Sequence, residues 1–381
     1  MPSAPSRDPS RLCQRHLAAK GYAPAAIRDK NPDAIERLEV TTEHSTTGPV
    51  AARDWVAILA RYRAPSTLRS IWELGITLVG FFALWAVAVV ALHWHWYAGL
   101  AMAFPIGFFL VRLFAIQHDC GHNAFFAERS WNDWVGRALG CLTLTPYDVW
   151  RRLHALHHSN AGNLDRRGIG DVMTLTVAEY SARGRWGRLG YRLYRNPAVM
   201  FGLGPAWLFV LNNRLPIGLM KAGMTYWVSA MATNICLLAV LVGLWFLGGF
   251  TAIFAVWLPS VLVGATIGVW LFYVQHQFET AHWDHEPDWS LHDAALHGSS
   301  HYVLPQPLQW LTANLGMHHI HHLQSRLPFY RLPEVLRDHP PLAEAQRMTI
   351  RQSLVNARLH LWDEKSRRLL GWRDARRAMN A

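Results

Sequence analysis

The sequence YWVSAMATNICLLAVLVGLWFLGGFTAIFAVWLPSVLVGATIGVWLFYVQ, residues 226–275, contains no Asp, Glu, Lys or Arg. An apolar run of this length favours bilayer spans, because roughly 20 helical residues are needed to cross about 30 Å of hydrocarbon. Gly248 and Gly249 interrupt the run near its middle. The stretch therefore predicts two membrane spans, at about 226–247 and 251–275, joined by a very short turn.

A second pair of apolar runs lies earlier in the chain, at about 71–92 and 97–117, and only the residues HWHW separate its members. Each run again has the length of one helical span, and irregular backbone does not cross a bilayer. The sequence therefore predicts an all-α integral membrane protein with four transmembrane helices in two hairpins. The polar regions between and after the hairpins are expected to form a cytoplasmic helical cap.

The distribution of basic residues predicts the orientation in the membrane. Neither short turn holds a Lys or Arg, whereas residues 118–225 contain thirteen and both tails are basic. Because cytoplasmic loops are enriched in Lys and Arg, both termini and the cap are expected in the cytoplasm, with a bacterial inner membrane as the location. Two apolar stretches, 135–146 and 198–211, are too short to span and are expected in the interface or as re-entrant elements.

Three regions follow from this pattern. Residues 1–50 lack apolar periodicity and are expected to form a cytoplasmic tail. Residues 51–335 form the predicted membrane domain, in which WVAILARYRAPSTLR (55–69) predicts a short interfacial helix. Residues 336–381 are expected to be a basic, helical cytoplasmic segment, with a surface helix over 348–372.

The net charge and the cysteines argue against a nucleic-acid-binding protein and against a disulfide framework. The net charge of +11 is what basic inner loops of a membrane protein produce, and no nucleic-acid-binding motif accompanies it, so no nucleic-acid partner is expected. The four cysteines show no paired spacing, so reduced thiols are expected in place of a disulfide framework. They are Cys13, Cys120, Cys141 and Cys236.

Three histidine clusters fall at the predicted cytoplasmic face. HDCGH (118–122) ends the second span, HALHH (154–158) lies in the central loop, and HHIHH (318–322) follows the fourth span. Histidines at i and i+4, or at i, i+3 and i+4, project from one face of a helix, so each cluster is expected to aim its imidazoles at a common point. This spacing is typical of a set of metal ligands.

His276 joins these clusters, because in QHQFE at the inner end of the fourth span it mirrors His118 at the end of the second. His319 is excluded, because the other three histidines of HHIHH already complete the i, i+3, i+4 pattern. The predicted metal ligands are His118, His122, His154, His157, His158, His276, His318, His321 and His322. Other histidines are interpreted as surface or core residues, namely His16, His44, His93, His95, His285, His292, His297 and His339.

Nine imidazoles are too many for one metal ion and fit two ions of about four or five ligands each, with positions left for water or oxygen. Imidazole binds iron, zinc, copper and nickel, so the spacing alone leaves the metal open. The sequence has no His-Glu-x-x-His motif, which disfavours a zinc hydrolase.

Four segments resemble the membrane fatty-acid desaturase family, and within it the acyl-lipid desaturases of the Δ12 kind. They are HDCGHNAFF (118–126), WRRLHALHHSNAGNLD (150–165), QHQFE (275–279) and NLGMHHIHHLQSRLPFY (314–330). The resemblance covers roughly residues 70–335. It implies a centre of two non-haem iron ions held by the histidine clusters, an additional ligand from His276, and O2 as co-substrate.

The resemblance also implies an activity, the introduction of a cis double bond into a fatty acyl chain carried by a lipid or a thioester. No His-Pro-Gly-Gly haem motif is present, so an external, ferredoxin-like electron donor is implied. Ala155 and Leu156 stand where several relatives carry charged residues. Residues that are near the clusters in sequence and are candidates to hydrogen-bond the ligands are Asp119, Asp148, Asp165, Asp171, Glu279 and Asn314.

Two other functions stay open at the level of the sequence. A membrane hydroxylase or ketolase acting on a lipid or carotenoid uses similar histidine clusters. A membrane metal transporter would also bind ions through histidines, although transport sites normally lie near the bilayer midplane.

Overall fold

The computed structural model of the protein describes residues 50–168 and 170–380. The predicted N-terminal tail, with Cys13, His16 and His44, lies outside the described residues. The α-helices in chain order are α1 (Ala52–Leu59), α2 (Thr67–Trp94), α3 (Trp96–Gly121), α4 (Arg129–Leu142), α5 (Tyr147–Asn160), α6 (Val177–Ala182), α7 (Arg185–Tyr194), α8 (Gly204–Ala206), α9 (Met224–Thr251), α10 (Leu258–His276), α11 (Leu291–His297), α12 (Gln306–Leu311), α13 (His318–Leu323), α14 (Leu332–Asp338), α15 (Pro340–Glu344), α16 (Ile350–Asn356) and α17 (Trp372–Asn380).

Shorter elements connect these helices. Two π-helical turns, Val199–Leu203 and Trp207–Leu211, flank α8, and a third, Ala252–Trp257, joins α9 to α10. Turns of 3₁₀ helix lie at Ala60–Tyr62, Asn212–Arg214 and Phe329–Arg331. The strands are β1 (Leu175–Thr176), β2 (His301–Val303), β3 (Arg347–Thr349), β4 (Leu359–Asp363) and β5 (Arg368–Gly371).

Among the described residues, three helical runs are long and apolar enough to cross a membrane: α2, α3 and residues 224–276. Their mean hydropathies are 2.4, 2.0 and 2.3. The third run is interrupted by non-helical residues at Gly248 and Gly249, and Gly249 has φ +60° and ψ −150°, a conformation open to glycine. The first turn is tighter than predicted, since α2 extends to Trp94 and only His95 separates it from α3.

The third run reverses its direction at the two glycines, because both of its ends meet helix α5. Near the start of α9, the Ser229 hydroxyl accepts a hydrogen bond from the backbone N–H of Asp148, at 3.1 Å. At the end of α10, Nε2 of His276 lies 3.1 Å from Nε2 of His157. The long helices therefore present one common end, here called the histidine end.

Helix α3 is the centre of the bundle and packs against both α2 and α10. Its residues Ile106, Leu113 and Ile116 are fully buried. On the outer helices the apolar side chains face outward, and Phe246, Val79 and Ile235 are 82%, 70% and 68% exposed. An outward-facing apolar surface of this extent fits a hydrocarbon environment.

The two short apolar stretches lie alongside the long helices. In α4, Sγ of Cys141 lies 2.8 Å from Sγ of Cys236, about 18 Å along α9 from its start at helical rise. In the second stretch, the ring of Phe201 packs against Trp270 and Tyr273 of α10, with centroids 4.9 and 5.2 Å apart.

The prediction of a surface helix over 348–372 is wrong. This part of the chain contains the end of β3, α16, β4 and β5, and β4 pairs in parallel with β1 and antiparallel with β5. Leu361 and Trp362 are adjacent and both buried, so one face of a helix could not hold both. They occupy a central strand that is covered on both faces. The described part of the predicted helical segment 336–381 therefore contains both helices and strands.

The predicted interfacial helix over 55–69 is shorter than expected. Helix α1 and the following 3₁₀ turn end at Tyr62, and residues 67–69 already belong to α2. Trp55 and Leu59 are buried, and the Trp55 ring meets the His339 ring edge-on at 5.3 Å. This segment therefore packs against the end of helix α14.

Candidate metal centre

The nine predicted histidines meet at the histidine end in two adjacent groups. Within each group, one ring nitrogen from every member lies within 4.8 Å of those of all the others. The group of five contains His118, His122, His154, His158 and His321. The group of four contains His157, His276, His318 and His322.

The expectation that each cluster aims at one common point holds only for the first cluster. On α5, His154 and His158 join the group of five, whereas His157 joins the group of four. On α13 the assignment is reversed, since His318 and His322 join the group of four and His321 joins the group of five. The i, i+4 pairs share a face of their helix, and the third histidine of each helix points across to the other group. Both helices thus connect the two groups.

Several pairs of ring nitrogens within each group lie 3.0 Å apart. In the group of five, Nε2 of His158 is 3.0 Å from Nε2 of both His154 and His321. In the group of four, Nε2 of His318 is 3.0 Å from Nε2 of both His276 and His322. Two nitrogens about 2.1 Å from one ion lie about 3.0 Å apart at a right angle and about 3.4 Å apart at the tetrahedral angle. The observed spacing therefore suits ligands at right angles more than a tetrahedral site.

Burial favours the neutral form of several imidazoles of the site. It lowers the pKa of His154, His158 and His322 well below the ordinary value of histidine, and neighbouring imidazoles lower it further. A neutral ring offers an unprotonated nitrogen, which metal binding requires. Nε2 of His122 is buried and has no hydrogen-bond partner among the described residues. These donors fit metals that favour imidazole.

Two carboxylates and one carbonyl oxygen contact the Nδ1 atoms of three predicted ligands. Oδ1 of Asp171 lies 2.5 Å from Nδ1 of His157, and Oδ1 of Asp119 lies 3.3 Å from Nδ1 of His118. Nδ1 of His276 lies 3.2 Å from the carbonyl oxygen of Gly298. Such contacts fix the orientation of a ligating ring.

The other candidates for this role are engaged elsewhere. Asp148 binds Arg137, Glu279 binds Arg368, and Asp165 contacts His285, which belongs to neither group. The Asn314 side chain donates to the carbonyl oxygen of Phe329, at 3.0 Å. Their proximity in sequence therefore did not indicate proximity in space.

His319 lies outside both groups, as do the described histidines that were interpreted as surface or core residues. Nε2 of His319 faces away from the site and lies 2.8 Å from the carbonyl oxygen of Leu342. His319 thus connects α13 to α15.

A cavity of about 800 Å³ adjoins both histidine groups. Its wall includes His118 and His154 of the group of five and His318 of the group of four. Most of the remaining wall is apolar, with Leu110, Phe114, Trp150, Leu153, Val199, Leu203, Trp207, Val261 and Phe272 among its residues. Gly268 of α10 is also in the wall, and a Cβ added there would meet no atom within 4 Å. The sequence alone does not show this cavity, because its wall comes from segments far apart in the chain.

Beside the cavity, polar contacts connect the first short apolar stretch to the residues that follow the second. The carbonyl oxygen of Leu144 accepts hydrogen bonds from Nδ2 of Asn213, at 3.2 Å, and from Nη2 of Arg214, at 2.8 Å. Nη1 of Arg214 donates to Oδ1 of Asn234, at 3.0 Å. Non-helical backbone alongside membrane helices requires such internal partners.

Comparison with known proteins gives concordant results. A family model described as "Fatty acid desaturase" matches residues 94–354. A Bacillus subtilis (strain 168) protein named "Fatty acid desaturase" is 39% identical over 315 residues, which cover 83% of this chain and 89% of that protein.

Two proteins of Synechocystis sp. (strain ATCC 27184 / PCC 6803 / Kazusa) are more distantly similar. One, named "sn-1 oleoyl-lipid 12-desaturase", is 26% identical over 272 residues, covering 68% of this chain and 73% of that protein. The other, named "sn-1 acyl-lipid omega-3 desaturase (ferredoxin)", is 29% identical over 308 residues, covering 72% of this chain and 76% of that protein.

Proposed function

The chain belongs to the fatty acid desaturase family, and on that premise we propose that its nine clustered histidines bind two iron ions that serve the desaturation of a fatty acyl chain. As a member of this family it is an oxidoreductase that acts on paired donors with O2. The observation that carries the proposal is the pair of adjacent all-imidazole groups at the wall of an apolar cavity. The nitrogen spacing of 3.0 Å supports an ion with ligands at right angles.

The proposed reaction removes one hydrogen from each of two adjacent methylenes. With one O2, two electrons and two protons it yields one carbon–carbon double bond and two waters. The bound metals supply the O2 chemistry. The chain's own residues hold the acyl chain beside His118, His154 and His318, keep water from it, and fix the ring of His157 through Asp171.

The position of the double bond, the electron donor and the topology are each supported by a different observation. A Δ12-like position for the double bond is supported by similarity to an oleoyl-lipid 12-desaturase. An external ferredoxin-like donor is supported by the absence of a haem motif from the sequence and by the name of a second relative. The four-span topology with a cytoplasmic histidine end rests on the two short turns, which lack Lys and Arg.

The acyl profile of membranes tests this function directly. The protein is expressed with iron and a ferredoxin system in a host that makes no polyunsaturated lipids. We expect dienoic chains with a new double bond near Δ12, whereas hydroxylated chains in their place would show a hydroxylase. An acyl profile identical to that of the empty host would refute desaturation.

Matched variants connect that activity to the histidines. His157→Ala and His321→Ala each remove one member of a different group and should abolish activity and lower bound iron. His319→Gln is the control, because it keeps a donor toward Leu342 and alters neither group. Full activity in either alanine variant would contradict the metal assignment.

A further inference from the structure

Helix α7 presents an apolar face that no described residue covers. Trp186, Leu189 and Leu193 are 71%, 45% and 55% exposed. Their i, i+3, i+7 spacing places them on one side of the helix. On another side, Tyr191 is buried and its hydroxyl donates to the carbonyl oxygen of His360, at 2.6 Å, which fixes how the helix is turned.

The same helix presents a basic face beside the apolar one. The sequence RGRWGRLGYRLYR, residues 183–195, holds five arginines and no carboxylate. Arg185, Arg188 and Arg192 are exposed, and a rotation of about 100° per residue places them together, next to the apolar face. An apolar face bordered by arginines matches the boundary between acyl chains and anionic headgroups.

The position of α7 relative to the long helices agrees with a place at the boundary between acyl chains and headgroups. The chain leaves α7 and within a few residues reaches Phe201, which packs against Tyr273, three residues before the end of α10. Helix α7 therefore lies level with the histidine end of the long helices. Leu203 and Trp207, which follow along the chain, are 69% and 60% exposed and extend the apolar surface deeper.

The cavity opens at this same apolar surface. Leu203, Trp207, Leu215 and Ile217 line the cavity and are also between 42% and 69% exposed. These four residues are here called the portal. The surface around the portal is apolar and continuous with the long helices, so an opening there suits hydrocarbon more than water.

We propose that α7 lies in the headgroup region of the bilayer at the histidine end, binds anionic phospholipid through its arginines, and so brings the acyl chains of membrane phospholipids to the portal. The identification of the acyl chain as substrate rests on the proposed function. The membrane contact of α7 rests only on its exposed faces and its position.

Site-specific probes test the membrane contact without any turnover. An environment-sensitive fluorophore is attached at Leu193→Cys on the apolar face or, as the matched control, at Arg185→Cys on the basic face of the same helix. The full chain is placed in phosphatidylcholine nanodiscs, and the labelled parent without the added cysteine gives the background. We expect brominated lipid to quench the Leu193 probe and aqueous iodide to quench the Arg185 probe. Equal quenching of both probes by iodide would overturn the proposal.

Charge substitution tests the anionic lipid. In nanodiscs with about 30% phosphatidylglycerol, the Leu193 probe should emit at shorter wavelength than in phosphatidylcholine alone, because anionic headgroups draw α7 inward. Arg185→Gln combined with Arg188→Gln should remove that difference, and a difference that persists would refute the role of the arginines. If both probe experiments give the expected results while the acyl profile of the host stays unchanged, the proposed function is refuted and the membrane contact of α7 is supported.

Discussion

Asp171 lies outside the ligand set but contacts a ligand of the group of four. Its carboxylate lies 2.5 Å from Nδ1 of His157, whose Nε2 belongs to that group. Asp171→Asn keeps the size of the side chain but weakens this contact, so we expect iron affinity to fall about 10-fold to 100-fold. The iron that each protein retains during dialysis against a graded series of chelator concentrations measures this affinity.

Asp148→Asn is the control for that experiment, because Asp148 is near the second cluster in sequence but binds Arg137. It should keep the iron affinity of the wild type. Equal iron loss in the two variants would show that Asp171 acts through general stability and not through His157.

The identity of the candidate ligands was predictable from sequence, whereas their distribution between two groups was not. Spacing on a helix shows which side chains share a face, and the i, i+4 pairs His154 with His158 and His318 with His322 each meet in one group. It does not show what faces the third histidine of each helix. Placing His157 and His321 requires the packing of α5 against α10 and α13.

Helix α10 controls the room available in the cavity through a glycine. A side chain at Gly268 would extend into the cavity without a clash. Gly268→Leu should therefore shorten the acyl chains accepted or shift the double bond, with iron content unchanged. Mass spectrometry of products from a mixed acyl pool measures this. Gly243→Leu, also in open space but outside the cavity wall, should leave the products unchanged.

The unit formed by β4, β5 and α17 should respond to pH through His360. This ring stacks on Trp372, and burial lowers its pKa to about 3. Between that value and the unfolded pKa of about 6.5, only the unfolded segment binds the proton, so its free energy of unfolding falls as pH drops below about 6.5. Above that pH His360 adds no dependence.

Hydrogen exchange of β4 and β5 amides, corrected for intrinsic rates, measures this effect. Protection should fall from pH 7 to pH 5 in the wild type and hardly change in His360→Phe. The same loss of protection in both proteins would exclude His360 as the cause.

Elements were predictable where the apolar pattern is long and uniform. The long runs gave helices near the expected bounds, because burial in hydrocarbon needs only length and apolar character. Short elements depend on tertiary partners. Strand β4 is stable because β1 and β5 pair with it on both sides, and β1 lies far earlier in the chain, outside the local pattern that suggested a helix.

The arrangement of the whole chain in the membrane predicts which residues reach each side. His95 and Phe250 lie at the two short turns and are exposed, and Arg326 lies at the histidine end. In intact cells, an impermeant maleimide should label His95→Cys and Phe250→Cys, and should label Arg326→Cys only after permeabilisation. Protection of Phe250→Cys alone would mean that residues 224–276 do not form a hairpin of two spans.

The proposed function depends most on the presence of one iron ion in each of the two histidine groups. Anomalous diffraction at the iron absorption edge, from crystals of the iron-loaded protein, tests it most directly. Two anomalous peaks are expected, one among His118, His122, His154, His158 and His321 and one among His157, His276, His318 and His322. A single peak, a peak outside these groups, or no iron signal in protein that is fully active would contradict it.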